Sequence, residues 1–192
     1  LYLQGDGVGL LSFDEQIREY LPARHRTGHL RHLMIALEKP AGGTQTDLSR
    51  PLQRIAEIVN KRGVMVLISD LLAPIDTLER NLSALGACGH EIIVFNILDP
   101  AELSFNFDKA MLFHDMESGR DLYIDPHLAR KEYLKRLESH LSSVEAICQK
   151  LGMSYHRFAT DRPLELALFD FMRSRSQRRK HIRRSHQGGR RS

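Results

Sequence analysis

Two nearly unbroken apolar, β-branched stretches, VMVLISD at 64–70 and EIIVFNILDP at 91–100, constrain this chain more than any other feature. A strand that faces water on one side alternates apolar and polar residues, whereas one that is apolar throughout reads as buried on both faces inside a parallel sheet. Parallel neighbours need a crossover. The intervening segment supplies it, with Leu78, Leu82 and Leu85 at helical spacing before Gly86 and Gly89. The pair predicts an α/β fold in which 64–70 is a central strand.

The flanking segments fit that class. DGVGLLSF (6–13) reads as a short strand, and QIREYLP (16–22), alternating Ile17, Glu19 and Leu21, as its hairpin partner across a tight Asp14-Glu15 connection. Leu30, Leu33, Met34 and Leu37 mark a helix closed by Pro40. Leu48, Leu52, Ile55 and Val59 mark a second, with Pro51 in its first turns, where proline is tolerated, and Gly63 at its end. AMLFHDME and RDLYID flank Ser118-Gly119 as another hairpin. The longest helix is predicted from Pro126 to Leu151, with Leu134, Leu137, Leu141, Val144 and Ile147 on one side and Gly152 closing it. MSYHRFAT is a last strand and PLELALFDFM a last helix. No repeat or linker interrupts 6–172, so residues 1–172 are expected to form one domain.

Net charge is +4, but its distribution matters more. Nine of the 28 Lys and Arg residues lie at 173–192 with no acid among them, leaving 19 bases against 24 acids in the rest. The body is acidic and the tail basic, a composition expected to be disordered and, at most, to touch nucleic acid or an acidic partner weakly. No apolar run approaches the roughly 18 residues of a membrane span, and the chain is expected to be soluble and cytoplasmic. Cys88 and Cys148 show no metal-ligand spacing and read as buried, reduced thiols. His25, His29 and His32 share a helical segment without an HExxH pattern and read as a solvated face. GDGVG precedes a strand instead of opening a helix, which argues against a phosphate loop.

One candidate site stands out. Asp70 directly follows the buried VMVLIS run, and open parallel sheets gather ligands at the carboxyl ends of their strands. GGTQTDLS, at 42–49, opens the helix that leads into that strand. Its hydroxyls, Thr44 and Thr46, either cap the helix or join Asp70 as hard oxygen ligands, a set suited to Mg²⁺ or Mn²⁺ rather than zinc. Asp99 and Asp115 read as turn acids near the same rim.

Four segments in order, GDGVGLLSFDEQIREYLP, GGTQTDLSRPL, RGVMVLISDLL and GHEIIVFNILDPAEL, resemble the bacterial von Willebrand factor A-like proteins of the domain of unknown function 58 family. The resemblance covers about residues 1–172. It implies a doubly wound, mostly parallel sheet with an edge hairpin and a metal-ion-dependent adhesion site, and an association with AAA+ ATPases of the MoxR type. That site uses an Asp-x-Ser-x-Ser loop after the first strand, a threonine and a later aspartate. Asp70 matches the aspartate. The family's spacing favours Thr46 as the threonine, with Leu52 six positions on, and leaves Thr44 to cap or orient. The Asp-x-Ser-x-Ser piece does not occur here. LYLQG reads as the last turn of a helix capped by Gly5, so the chain is expected to begin within a domain, with the central first strand upstream.

The expected function is a metal-dependent protein-interaction module, not an enzyme, that works with a MoxR-type AAA+ ATPase in assembling or remodelling complexes. The alternatives are a Mg²⁺-dependent hydrolase, for which no nucleophile–base motif is present, and nucleic-acid contact through the tail.

Overall fold

The computed structural model describes residues 4–14, 16–40, 48–59, 62–107, 111–114, 121–173 and 175. The first apolar segment forms β1 (Val8–Phe13), which pairs antiparallel with β2 (Ile17–Arg24) as the hairpin pattern predicts. The Asp14 side chain fastens the connection, accepting the Gln16 N–H at 3.0 Å and pairing with Arg18. The helix α1 (His29–Leu37) follows Gly28, whose φ of 80° suits a residue without a β-carbon. Next comes α2 (Ser49–Ile58), then β3 (Val64–Ser69), α3 (Ile75–Ala87), β4 (Glu91–Leu98) and the short α4 (Pro100–Ser104). A second antiparallel pair, β5 (Met111–His114) and β6 (Asp121–Ile124), precedes the long α5 (Pro126–Lys150) and β7 (Ser154–Ala159). The turn expected at Ser118-Gly119 lies outside the described residues. Residues 164–173 are helical.

The chain divides into two compact units. One comprises residues 1–63, 73–90 and 109–125, the other 64–72, 91–108 and 126–192. In the first, α2 packs on α3 with Leu52, Ile55, Leu78, Leu82 and Leu85 buried, and Asn81 Nδ2 donates to Ser49 Oγ at 3.1 Å.

The second unit is built on a parallel three-stranded sheet of order β3-β4-β7. In register, Val66, Ile93 and Ser154 lie side by side, as do Ile68, Phe95 and His156. On that face Phe171, from the helix over 164–173, meets Phe95 edge-on at 5.1 Å and His156 at 4.9 Å, above Ile93 and Phe158. In a separate cluster, Leu98 packs with Leu137, Leu141 and Tyr133 of α5. The apolar stripe read from the sequence is therefore the buried side of that helix. Gly152, with φ 69°, ends it, and the Met153 N–H returns to the Cys148 carbonyl at 2.8 Å.

The burial on both faces expected of 64–70 is not found among the described residues, and its central place is tied to a first strand expected upstream. Among the described residues β3 pairs with β4 alone, and Val64, Val66 and Ile68 are 51, 45 and 63% exposed. The strand with neighbours on both sides is β4, buried from Ile92 to Asn96. An all-apolar run shows that a strand tolerates burial on both faces; what covers those faces decides whether it receives it. Phe171 covers β4 and β7, and the β3 side chains of the same face stay open.

Candidate functional site

The last side chain of β3, Ser69, and the two residues after it form a turn held by its own polar groups. Ser69 Oγ accepts the Leu71 N–H at 3.1 Å, and Asp70 Oδ1 accepts the Leu72 N–H at 3.3 Å. The Ser69 hydroxyl also lies 3.4 Å from Asp70 Oδ1, as its donor. Short polar side chains bonding the backbone two residues on are how serine and aspartate build turns. Asp70 itself is exposed, and among the described residues its carboxylate has no cationic partner. The backbone after it is unusual: Leu71 has φ 55° and a fully buried side chain. From α5, His140 Nε2 donates to the Leu71 carbonyl at 2.9 Å.

Of the residues singled out for a metal, Asp70 is placed at the carboxyl edge of the parallel sheet, while Thr44 and Thr46 lie outside the described residues, as does Asp115. The helix that follows them opens at Ser49 with Leu48 as N-cap and no side-chain cap bond. In type, the Asp70 carboxylate and Ser69 hydroxyl are hard oxygen donors that fit Mg²⁺ or Mn²⁺. Among the described residues no group of three or more His, Cys, Asp or Glu is placed to hold a metal.

Asp99 has a structural task. Its Oδ1 accepts the Ala101 N–H at 2.7 Å while Glu102 Oε2 accepts the Asp99 N–H at 3.4 Å, a reciprocal capping box on α4. His29 corrects the solvated-face reading: it is buried, and its Nε2 donates to the Val8 carbonyl at 2.8 Å, tying α1 to β1. His25 and His32 are exposed. Both cysteines are free thiols. Cys148 is buried as expected, and burial, with Glu145 adding to it, pushes its thiol up to about 11, which makes it a poor nucleophile. Cys88 is half-buried, its thiol turned to the Ala84 carbonyl. Asn96, fully buried in β4, donates to the Tyr155 hydroxyl at 2.9 Å, and burial raises Tyr155 above the usual phenol range.

Ser69 and His140 went unread in the sequence. Their signals were a hydroxyl closing an apolar run and an imidazole between Leu137 and Leu141 on the buried stripe of α5.

These features define a mixed α/β protein with a parallel three-stranded sheet, separate antiparallel pairs, and an exposed acid at the carboxyl edge of the sheet. The chain belongs to the family described as Protein of unknown function DUF58, which matches residues 2–143. It is similar to uncharacterized proteins of Mycobacterium tuberculosis and Mycobacterium bovis, 29% identical over 177 residues, which are 89% of this chain and 55% of each of those proteins. It is also similar to an uncharacterized protein of Mycobacterium avium, 27% identical over 154 residues, 79% of this chain and 89% of that protein. The chain spans about half the length of the first two relatives. No solved structure matches it. No helix of the described residues is long and apolar enough to cross a membrane.

Proposed function

We propose that this chain is part of a von Willebrand factor A-like, metal-ion-dependent protein-interaction module that works with a MoxR-type AAA+ ATPase in assembling or remodelling protein complexes. One observation carries the reading: an exposed carboxylate, Asp70, stands without a cationic partner among the described residues at the carboxyl edge of a parallel sheet, on a turn whose backbone is pinned. Such an edge is where open α/β sheets gather ligands. Family membership and the four-segment resemblance support it further.

In this reading Asp70 and Thr46 hold Mg²⁺ or Mn²⁺, and Thr44 caps or orients the loop. A hard cation in that setting offers a coordination position to an acidic side chain of the partner. The residues of this chain bind and orient; they perform no bond-making step. Recognition beyond the ion falls to the surface around the sheet edge, which fixes register and excludes wrong partners.

The test is metal binding and partner capture by a version of the chain that also carries the Asp-x-Ser-x-Ser loop the family's site uses. Asp70→Ala is expected to abolish Mn²⁺ binding, followed by electron paramagnetic resonance, without lowering the thermal midpoint measured in EDTA. Capture of a MoxR-type ATPase is expected to weaken in EDTA and to survive deletion of residues 173–192. Equal capture with and without divalent metal would remove the proposed recognition mechanism.

A further inference from the structure

At Leu71, as at Phe105, the backbone departs from what the side chain prefers. At φ 55° Leu71 occupies the left-handed region, which a bulky L residue avoids because its β-carbon crowds the following carbonyl. Such a conformation persists only where the surroundings over-determine it, and it recurs where a protein holds a group ready for a ligand. Here the restraints can be named. The Leu71 side chain is fully buried, its N–H is held by Ser69 Oγ at 3.1 Å, and the next N–H is held by Asp70 Oδ1 at 3.3 Å. Those bonds are local to the turn. The Leu71 carbonyl is held at 2.9 Å by His140 Nε2, which comes from α5, 69 positions along the chain.

The rigidity of α5 gives that contact its meaning. His140 sits beside Leu141 and three positions after Leu137, both buried and packed with Leu98 of the sheet. The donor is thus mounted on an element fixed to the sheet's core, and the turn hangs from it. We infer that His140 is a positioning residue: through the Leu71 carbonyl it keeps the turn after β3 in its left-handed form, and so sets the direction in which the Asp70 carboxylate meets its ligand. The orienting role rests on the reading of Asp70 as a ligand contact; the effect on the turn does not.

Two substitutions, made in the same loop-bearing version, separate donor from bulk. His140→Phe fills the space without a donor, and His140→Gln supplies an amide N–H at a similar reach. Two readouts separate the turn from the metal: amide hydrogen exchange at Leu71 and Leu72 in EDTA, and Mn²⁺ affinity by electron paramagnetic resonance. His140→Phe is expected to speed exchange at both amides about tenfold while Val144 in the same helix keeps its protection. It is expected to weaken Mn²⁺ binding about tenfold, the scale seen when a group that orients a metal ligand is lost. His140→Gln should recover most of both. Unchanged exchange at Leu71 and Leu72 in His140→Phe overturns the inference. Faster exchange with Mn²⁺ affinity intact overturns the orienting role while His140 still holds the turn; whether Asp70 is a ligand is then decided separately by Asp70→Ala.

Discussion

A β-carbon added at Gly9 would lie 2.8 Å from both the Ala23 nitrogen and the Leu21 oxygen. Both are backbone atoms of the paired strand, so neither can swing aside as a side chain would. The glycine allows close approach at an irregular point of the β1–β2 ladder, where the register shifts between Val8 and Leu10. This accounts for a glycine in GDGVG without any phosphate. Gly9→Ala is expected to destabilise the first unit by about 1 to 3 kcal/mol, as overpacking does, in urea titrations followed by circular dichroism. At Gly7 the nearest atom would be 3.3 Å away, and Gly7→Ala should cost less. Histidine also acts here through backbone carbonyls: His29 donates to Val8, His90 to Val59 at 3.2 Å, and His140 to Leu71. A sequence shows an imidazole but not the carbonyl opposite it, which is why His29 reads as solvated until the fold is known.

Elements were legible where one period ran unbroken. The β1–β2 hairpin, the buried β4, the long α5 and the last strand all follow from apolar spacing. The exposure of β3 was not legible in its composition, which cannot report what pairs with its far side. The site was half legible. Asp70 sits where the strand-end rule puts it, and Thr44 and Thr46 lie outside the described residues. Asp99, read as a turn acid, spends both its side chain and its backbone N–H on starting α4. Asp99→Ala is therefore expected to cost about 0.5 to 2 kcal/mol of stability in thermal or chemical melts. Mn²⁺ binding should be unaffected, which separates a cap from a ligand at the same end of the sheet.

At the scale of the whole molecule, the described residues depart from an ordinary buried sheet at the open face of β3. Val64, Val66 and Ile68 stand exposed beside a neighbouring strand whose residues on the same face are covered by Phe171. Clustered apolar exposure of this kind binds hydrophobic dyes and promotes association. The paired change Val66→Thr and Ile68→Thr keeps β-branched residues in the strand. It is expected to lower anilinonaphthalene sulfonate fluorescence while changing unfolding stability by no more than about 0.5 kcal/mol per site, the usual range for surface positions. A loss of several kcal/mol would show that the face is covered in solution.

Each unit draws on stretches separated along the chain, and this sets the order in which a nascent polypeptide can complete them. The β1–β2 hairpin closes across a few residues and can form soon after it leaves the ribosome. The parallel sheet cannot: β4 needs β7, and Ile93 finds its neighbour only at Ser154, after the whole of α5 has been made. Until then one edge of β4 and the surface reserved for Phe171 are bare, as exposed during synthesis as any misfolding intermediate. Truncation before residue 154 would remove the last strand and leave Ile92 to Leu98, the most hydrophobic stretch of the sheet, open to passing chains.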